Sequence, residues 1–269
     1  MAGALLIVLL LAIAPSARAN LVQDGDFSQV TYSGSMAGIT TLFGQFGTGY
    51  LTVADWTTTG YNFVFAPNTA DEGTSGSGAY IGQPNEVPGQ YNTGAGYGKL
   101  YIWGSNNGGT VTLPATDPVG GNFIAGDGAF EVGAISQSIS GLTAGQTYVL
   151  KFYWAAAQQQ GYTTAVTDSW TVSLGGESFS TGTYSLVSGS FSGWMPDTMY
   201  FTATNATETL SFLSVGAPTG QPPFSLLGGV DLEVVPDFSN WMVFGGFGLG
   251  CIVFESARRK RRRSRPAAE

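Results

Sequence analysis

Residues 20–234 predict an all-β domain, a sandwich or a barrel, followed by one apolar helix. Three observations carry that expectation. Short runs of aromatic and β-branched residues recur along the chain, with Gly, Asn, Thr and Ser clustered between them, which is how strands joined by turns are punctuated. No amphipathic helical period occurs before residue 238. Beyond it the composition changes to a Gly-rich apolar stretch and then to a block of Arg and Lys.

In chain order, residues 4–14 form an apolar run and Ala17-Arg18-Ala19 a small-x-small cleavage site, so 1–19 is expected to be a secretory signal peptide. Strands are expected at 51–56, 61–66, 99–103, 129–140, 147–155, 169–174, 199–204, 208–215 and 229–234. In the fifth, Tyr148, Leu150, Phe152 and Trp154 share one face and Lys151 takes the other, the period-2 alternation of a half-buried strand. In the last, Val230, Leu232 and Val234 alternate with Asp231 and Glu233. Two stretches break the pattern. Residues 68–98 are a Gly-, Thr- and Asn-rich insertion, longer than ordinary connections. Residues 155–168 are a shorter loop containing Gln158-Gln159-Gln160, whose amides are expected to be solvated unless they meet sugar hydroxyls.

After residue 234, Val235-Pro236-Asp237 leads into an apolar stretch at 238–257, which matches the roughly 20 residues needed to cross a bilayer core. A transmembrane helix is expected there. Gly245, Gly246, Gly248 and Gly250 would each cost about 1 kcal/mol in a water-soluble helix, whereas membrane helices carry glycine more often. Arg258, Arg259, Lys260, Arg261, Arg262 and Arg263, in a basic tail at 258–269, then act as a topology stop. Lys- and Arg-rich segments stay in the cytoplasm. The β domain is therefore expected outside it, on a membrane-anchored precursor.

Residues 20–235 hold two cations, Lys99 and Lys151, against fifteen Asp and Glu, a net charge of −13. Such a domain repels phosphate backbones and anionic lipid, which excludes nucleic acid as a partner. The chain has no histidine, which removes Ser-His-Asp and Cys-His chemistry together with histidine-held metals. Its one cysteine, Cys251, lies in the apolar helix, so no intramolecular disulfide forms and stability rests on a packed core. Carboxylate chemistry stays open. A glycosidase needs two carboxylates about 5 to 9.5 Å apart, and Asp127, Glu131 and Asp168 are nominal candidates that no local motif singles out.

Two resemblances extend these expectations. Val235-Pro236-Asp237 with Phe238 and Trp241, the Gly-rich apolar run and the terminal Arg cluster resemble, over 235–265, the PEP-CTERM class of sorting signals. The variant has Val-Pro-Asp where Pro-Glu-Pro is usual. This resemblance implies transient or permanent anchoring in the inner membrane and processing by an exosortase-like membrane protease near the motif at 235–241. It also implies delivery to the surface or extracellular matrix of a bacterium that makes exopolysaccharide.

The second resemblance lies in the domain itself. Asn20-Leu21-Val22-Gln23-Asp24-Gly25-Asp26-Phe27, Ile135-Ser136-Gln137-Ser138-Ile139, Gly145-Gln146-Thr147-Tyr148-Val149-Leu150-Lys151-Phe152 and Gly229-Val230-Asp231-Leu232-Glu233-Val234 resemble the galactose-binding-like jelly roll of carbohydrate-binding modules. Asp24, Ser28 and Val230 depart from that family's phrases. The resemblance implies a jelly-roll β-sandwich, a polysaccharide ligand, and a structural Ca²⁺ held between the first and last strands by Asp26 and Asp231.

Aromatic rings stack on the apolar faces of sugars, so tryptophans are the candidate ligand contacts. Trp103 and Trp194, beside Gly104 and Gly193 at turns, are the candidates for exposure, with Trp56 as a third. Trp154 and Trp170 fall in alternating strands and are expected in the core. The function expected is that of an exported, noncatalytic surface or matrix protein that binds polysaccharide. The alternatives are a structural or adhesive ectodomain without a defined ligand, and a carboxylate-dependent glycoside hydrolase.

Overall fold

The computed structural model describes residues 19–32, 44–45, 47, 51–71, 100–110 and 117–236. The expected signal peptide, most of the insertion, Asp237, the expected membrane helix and the basic block lie outside the described residues. Among the described residues no helix is long and apolar enough to cross a membrane.

Two antiparallel sheets face each other as a sandwich. The first runs β10 (Glu177–Ser180), β9 (Val166–Leu174), β13 (Thr207–Ala217), β7 (Ile135–Ser140), β4 (Thr57–Thr58), with β11 (Tyr184–Leu186) also beside β9. The second runs β12 (Met195–Thr202), β8 (Thr147–Gln158), β14 (Pro223–Val234), β6 (Phe123–Asp127), β5 (Asn62–Phe65), β2 (Gly44–Gln45). A small ribbon pairs β1 (Val30–Tyr32) with β3 (Leu51–Val53).

The core follows from strand alternation. Tyr148, Leu150, Phe152 and Trp154 of β8 meet Trp170, Val172 and Leu174 of β9 and Leu210 and Phe212 of β13 in one cluster between the sheets. Phe212 is its hub, edge-on to Phe152 at 5.3 Å and to Trp170 at 6.1 Å. The Trp170 indole N–H crosses the gap to the Leu226 carbonyl at 3.0 Å, which satisfies the ring's one donor inside the core. On the first sheet's other face, alternate positions are hydroxyl residues. Thr57, Ser136, Ser211, Ser173 and Ser178 stand in register across five strands.

The second sheet is buried on both faces over part of its width. Phe63, Phe65, Phe123, Ala125, Ala155, Ala157, Phe224 and Leu226 pack against Ala70, Leu100, Tyr101, Ile102 and Phe191, which come from connecting segments. This cover is stitched to the sheet through its backbone, Ser192 N–H to Ala156 C=O at 3.1 Å and Trp103 N–H to Gln158 C=O at 2.9 Å. Further along β8 the cover ends, and Lys151 is exposed and paired with Glu233 at 3.0 Å.

The chain's first described segment docks on its last strand. Leu21 N–H donates to Leu232 C=O at 2.9 Å and Val230 N–H to Gly25 C=O at 2.9 Å. Glycine is needed at 25, because a Cβ there would stand 2.1 Å from the Val230 carbonyl oxygen. Gln137, buried at 3% exposure, clamps the same segment by accepting from Gln23 N–H and donating to Gln23 C=O, both at 2.8 Å.

Several expected strands change extent. The stretch 99–103 contributes no strand, only an isolated bridge between Ile102 and Gln159. The strand expected at 129–140 begins at Ile135, because Asp127 Oδ1 draws the N–H groups of Ala129 (2.8 Å) and Phe130 (3.1 Å) into a turn. The loop expected at 155–168 shrinks, since β8 continues through Gln158 and β9 starts at Val166. Gln158 is fully buried, with its amide donating to Thr164 C=O at 2.8 Å, so it is not a solvated loop residue.

Candidate functional site

At the rim where the cover ends, three connecting segments converge around Trp103. Ile102 faces Gln159 across the antiparallel bridge, and Gln160 N–H donates to Tyr101 C=O at 2.8 Å. Trp103 and Gln160 thus lie in adjoining segments, one residue beyond the bridge in each. The Trp103 indole N–H donates to Tyr162 C=O at 2.9 Å, and Ser188 Oγ donates to the same carbonyl at 2.8 Å. Trp103, Gln160 and Tyr162 are all half-buried, so each keeps part of its side chain in solvent.

The turn that carries Trp103 is built from below. Asp71, 5% exposed, accepts the Asn106 backbone N–H and side-chain N–H, both at 3.3 Å, at the start of the short 3-10 turn Ser105–Asn107. Asn107 closes it, accepting Gly104 N–H at 3.0 Å and donating to Ile102 C=O at 2.8 Å. Gly104 sits so close to Asp71 that a Cβ would meet its carboxylate at 2.2 Å. A ring with its N–H fixed, beside amides and a phenol from neighbouring segments, can stack on a sugar and exchange hydrogen bonds with its hydroxyls.

The other two candidate tryptophans are placed differently. Trp56 is 4% exposed, wedged against Phe27 (5.2 Å) and Phe212 (6.2 Å), with its N–H on the Asp24 carbonyl at 3.1 Å. It is a core residue with no ring face to offer a ligand, which corrects its nomination. Trp194 is half-buried in the cover, edge-on to Phe123 at 5.5 Å and Phe191 at 6.3 Å. Its indole nitrogen is buried without a partner among the described residues. Trp154 and Trp170 are in the core as expected.

Asp26 and Asp231, the two residues implied for Ca²⁺, line one open depression of about 510 Å³ where the first segment meets β14. Asp24 and Asn20 line it too. Their polar atoms are largely committed: Asp24 accepts Gln29 N–H at 3.1 Å and Ser28 Oγ at 3.3 Å, and Asn20 Oδ1 accepts Val22 N–H at 2.9 Å and Leu232 N–H at 3.0 Å. Burial pushes the Asp24 carboxyl above its ordinary range, and burial followed by the Glu233 charge does the same to Asp231. Among the described residues no group of three or more acidic, His or Cys side chains comes together to hold a metal.

The carboxylates nominated for hydrolysis do not face solvent as a pair. Asp168 is fully buried and Asp127 is 2% exposed, each with Oδ2 lacking a partner among the described residues. Burial raises Asp168 well above the ordinary value, and the Asp127 charge adds to it. Burial likewise raises Asp127, to about 6. Glu131 is exposed in a left-handed turn with φ of 43°. A polymer cannot reach the two buried acids, which removes them as a catalytic dyad.

The sequence pointed to Trp103 through its neighbouring glycine. It offered the amides of Gln158-Gln159-Gln160 but did not single out Tyr162, Asn106 or Asp71, because these segments meet only through the bridge at Ile102 and the hydrogen bonds around it.

No protein-family model matches the chain, and no curated protein matches it. The chain has structural similarity to carbohydrate-binding modules. TmCBM61, solved with β-1,4-galactotriose, is 12% identical with a TM-score of 0.37, covering 81% of this chain and 99% of its own. The N-terminal cellulose-binding domain of Cellulomonas fimi β-1,4-glucanase C is 19% identical with a TM-score of 0.30, covering 46% of this chain and 83% of its own. The arabinose-bound α-L-arabinofuranosidase MgGH51 is 12% identical with a TM-score of 0.38, covering 81% of this chain and 26% of its own.

Proposed function

We propose that this chain is an exported, noncatalytic polysaccharide-binding protein whose β domain, a jelly roll in this reading, holds glycan at the Trp103 rim. The observation that carries this is Trp103 itself: half-buried, its indole N–H fixed at 2.9 Å on Tyr162 C=O, with Gln160 in the adjoining segment. A pre-oriented ring loses little entropy on stacking, and that is what makes aromatic contacts effective for sugars. Val235-Pro236-Asp237, the apolar stretch after it and the Arg block support sorting by an exosortase-like protease, from an inner-membrane precursor to the cell surface or matrix.

Affinity gel electrophoresis in a panel of soluble polysaccharides tests the binding. Trp103→Ala is expected to reduce retention by about tenfold, the equivalent of about 1.4 kcal/mol, with the melting temperature unchanged. Retention equal to wild type would refute the site. Intact-mass analysis of membrane and secreted fractions tests the sorting, and a full-length C terminus in every fraction would refute it. The reading as a structural ectodomain is favoured by one observation, that the cover seals much of the second sheet's outer face against any ligand.

A further inference from the structure

We infer that the glycan at the Trp103 rim is uncharged, a neutral hydroxyl polymer, and that uronate-rich or sulfated chains are turned away by the domain's own charge. The inference rests on the proposed polysaccharide reading and adds the substrate class. Recognition of acidic sugars needs a cation close to the stacking ring, since each carboxylate or sulfate brought to the surface must be paired or stay hydrated.

Among the described residues the rim supplies none. Trp103, Gln160, Tyr162, Asn106 and Ser188 offer a ring, amides and hydroxyls, which are the groups that exchange hydrogen bonds with neutral hydroxyls without a charge partner. The charged group built into the cluster is an acid. Asp71 lies beneath the turn at 5% exposure, held by Asn106 with no cation in its contacts. A carboxylate under a low-dielectric turn projects its field toward the ligand side with little screening.

The rest of the domain reinforces that field. Lys151 is the sole Lys or Arg among the described residues, and it is already paired with Glu233 at 3.0 Å on the second sheet. Lys99 lies outside the described residues, and the stretch 72–98 before it adds Glu72 and Glu86 and no other cation. A polyanion approaching a domain of net charge −13 is slowed at long range and meets an acid at short range. A neutral chain meets neither.

The test is retardation of the full domain at low ionic strength with chelator present, so that no divalent ion bridges carboxylates. Gels contain hydroxyethylcellulose or galactomannan in one arm and alginate or polygalacturonate in the other. The expected result is retention in at least one neutral gel, at least about tenfold weaker or no retention in the acidic gels, and loss of the neutral retention in Trp103→Ala. Retention in an acidic gel that Trp103→Ala or Lys99→Ala abolishes would overturn the inference while leaving the rim as a glycan site. Neutral retention that survives Trp103→Ala would place the ligand elsewhere and overturn both. No retention in any gel would overturn the polysaccharide reading itself.

Discussion

Asp127→Asn separates the titration of one buried carboxyl from everything else that depends on pH. Asp127 Oδ1 satisfies two N–H groups, and Oδ2 is buried with no partner among the described residues. Its carboxyl is raised from 3.8 to about 6, with burial the leading cause and the bonds from Ala129 and Phe130 opposing it. The folded chain therefore holds this proton more tightly than the unfolded chain, whose carboxyl titrates near about 3.9. Between those two values the native state binds more protons, so stability falls as pH rises, from full below about 4 to its lowest above about 6. A shift of about 2 units corresponds to about 3 kcal/mol. Asp168, raised in the same direction and partly by the charge on Asp127, extends the loss to higher pH.

The assay is urea unfolding followed by tryptophan fluorescence, at pH 4 and pH 7.5, on wild type and Asp127→Asn. Turning Oδ2 into an amide leaves a buried donor unpaired, at a cost that does not vary with pH and cancels in the comparison. The variant is expected to lose about 3 kcal/mol less than wild type between the two pH values, and somewhat more than that difference because Asp168 is relieved of a repulsion. Equal pH dependence in the two proteins would refute the account of this carboxyl as a buried, unpaired acid.

Trp56→Ala, unlike Trp103→Ala, is expected to cost about 3–5 kcal/mol in urea unfolding, since it empties a fully packed site and removes one of the two hydrogen bonds to the Asp24 carbonyl. Asp71→Ala removes the two hydrogen bonds that hold Asn106 and is expected to weaken glycan retention several-fold, while core stability falls by only about 1–3 kcal/mol. Retention equal to wild type would show that the turn needs no support from below. Chelation of divalent ions is expected to leave the melting temperature unchanged, because the acids lining that depression, Asp24, Asp26 and Asp231, do not come together as a metal-holding group.

The sandwich was legible where one face of a strand is wet. In β8 from Tyr148 to Phe152, and in β13 and β9, apolar residues alternate with Lys, Thr or Ser, and the inner face can be picked out directly. β6 was missed, and the cause is physical. Both of its faces are covered, Ile124 toward the other sheet and Phe123 and Ala125 toward the cover, so no alternation survives in its five buried residues. β10 and β11 are short edge elements of Ser, Phe, Tyr and Leu beside turns, too brief to carry a period. The stretch 99–103 looked like a strand because Leu100, Tyr101 and Ile102 are apolar, yet their apolarity serves the cover. The Gln158-Gln159-Gln160 run divides in two, one side chain buried and two half-buried at the rim, which only the end point of β8 decides.

The cover also decides where a ligand can go. A sandwich offers a polymer its two outer faces and its rims, and here the part of the second sheet around Phe63, Phe123, Ala155 and Phe224 is closed by Leu100, Tyr101 and Ile102. The hydroxyl rows of the first sheet present no aromatic ring on which a sugar could stack, and the uncovered part of the second sheet carries the Lys151–Glu233 ion pair and a single exposed ring beside it, Tyr200. The rim is where a tryptophan ring meets amides and hydroxyls, and the residues that seal the sheet are the ones that create it. Tyr101 and Ile102 are drawn into the apolar layer, and the next residue, Trp103, is carried to the edge with its N–H on Tyr162 C=O. Burial of the cover and presentation of the ring are thus one structural event, so a substitution that loosens the cover at Ile102 acts on the site and on stability together.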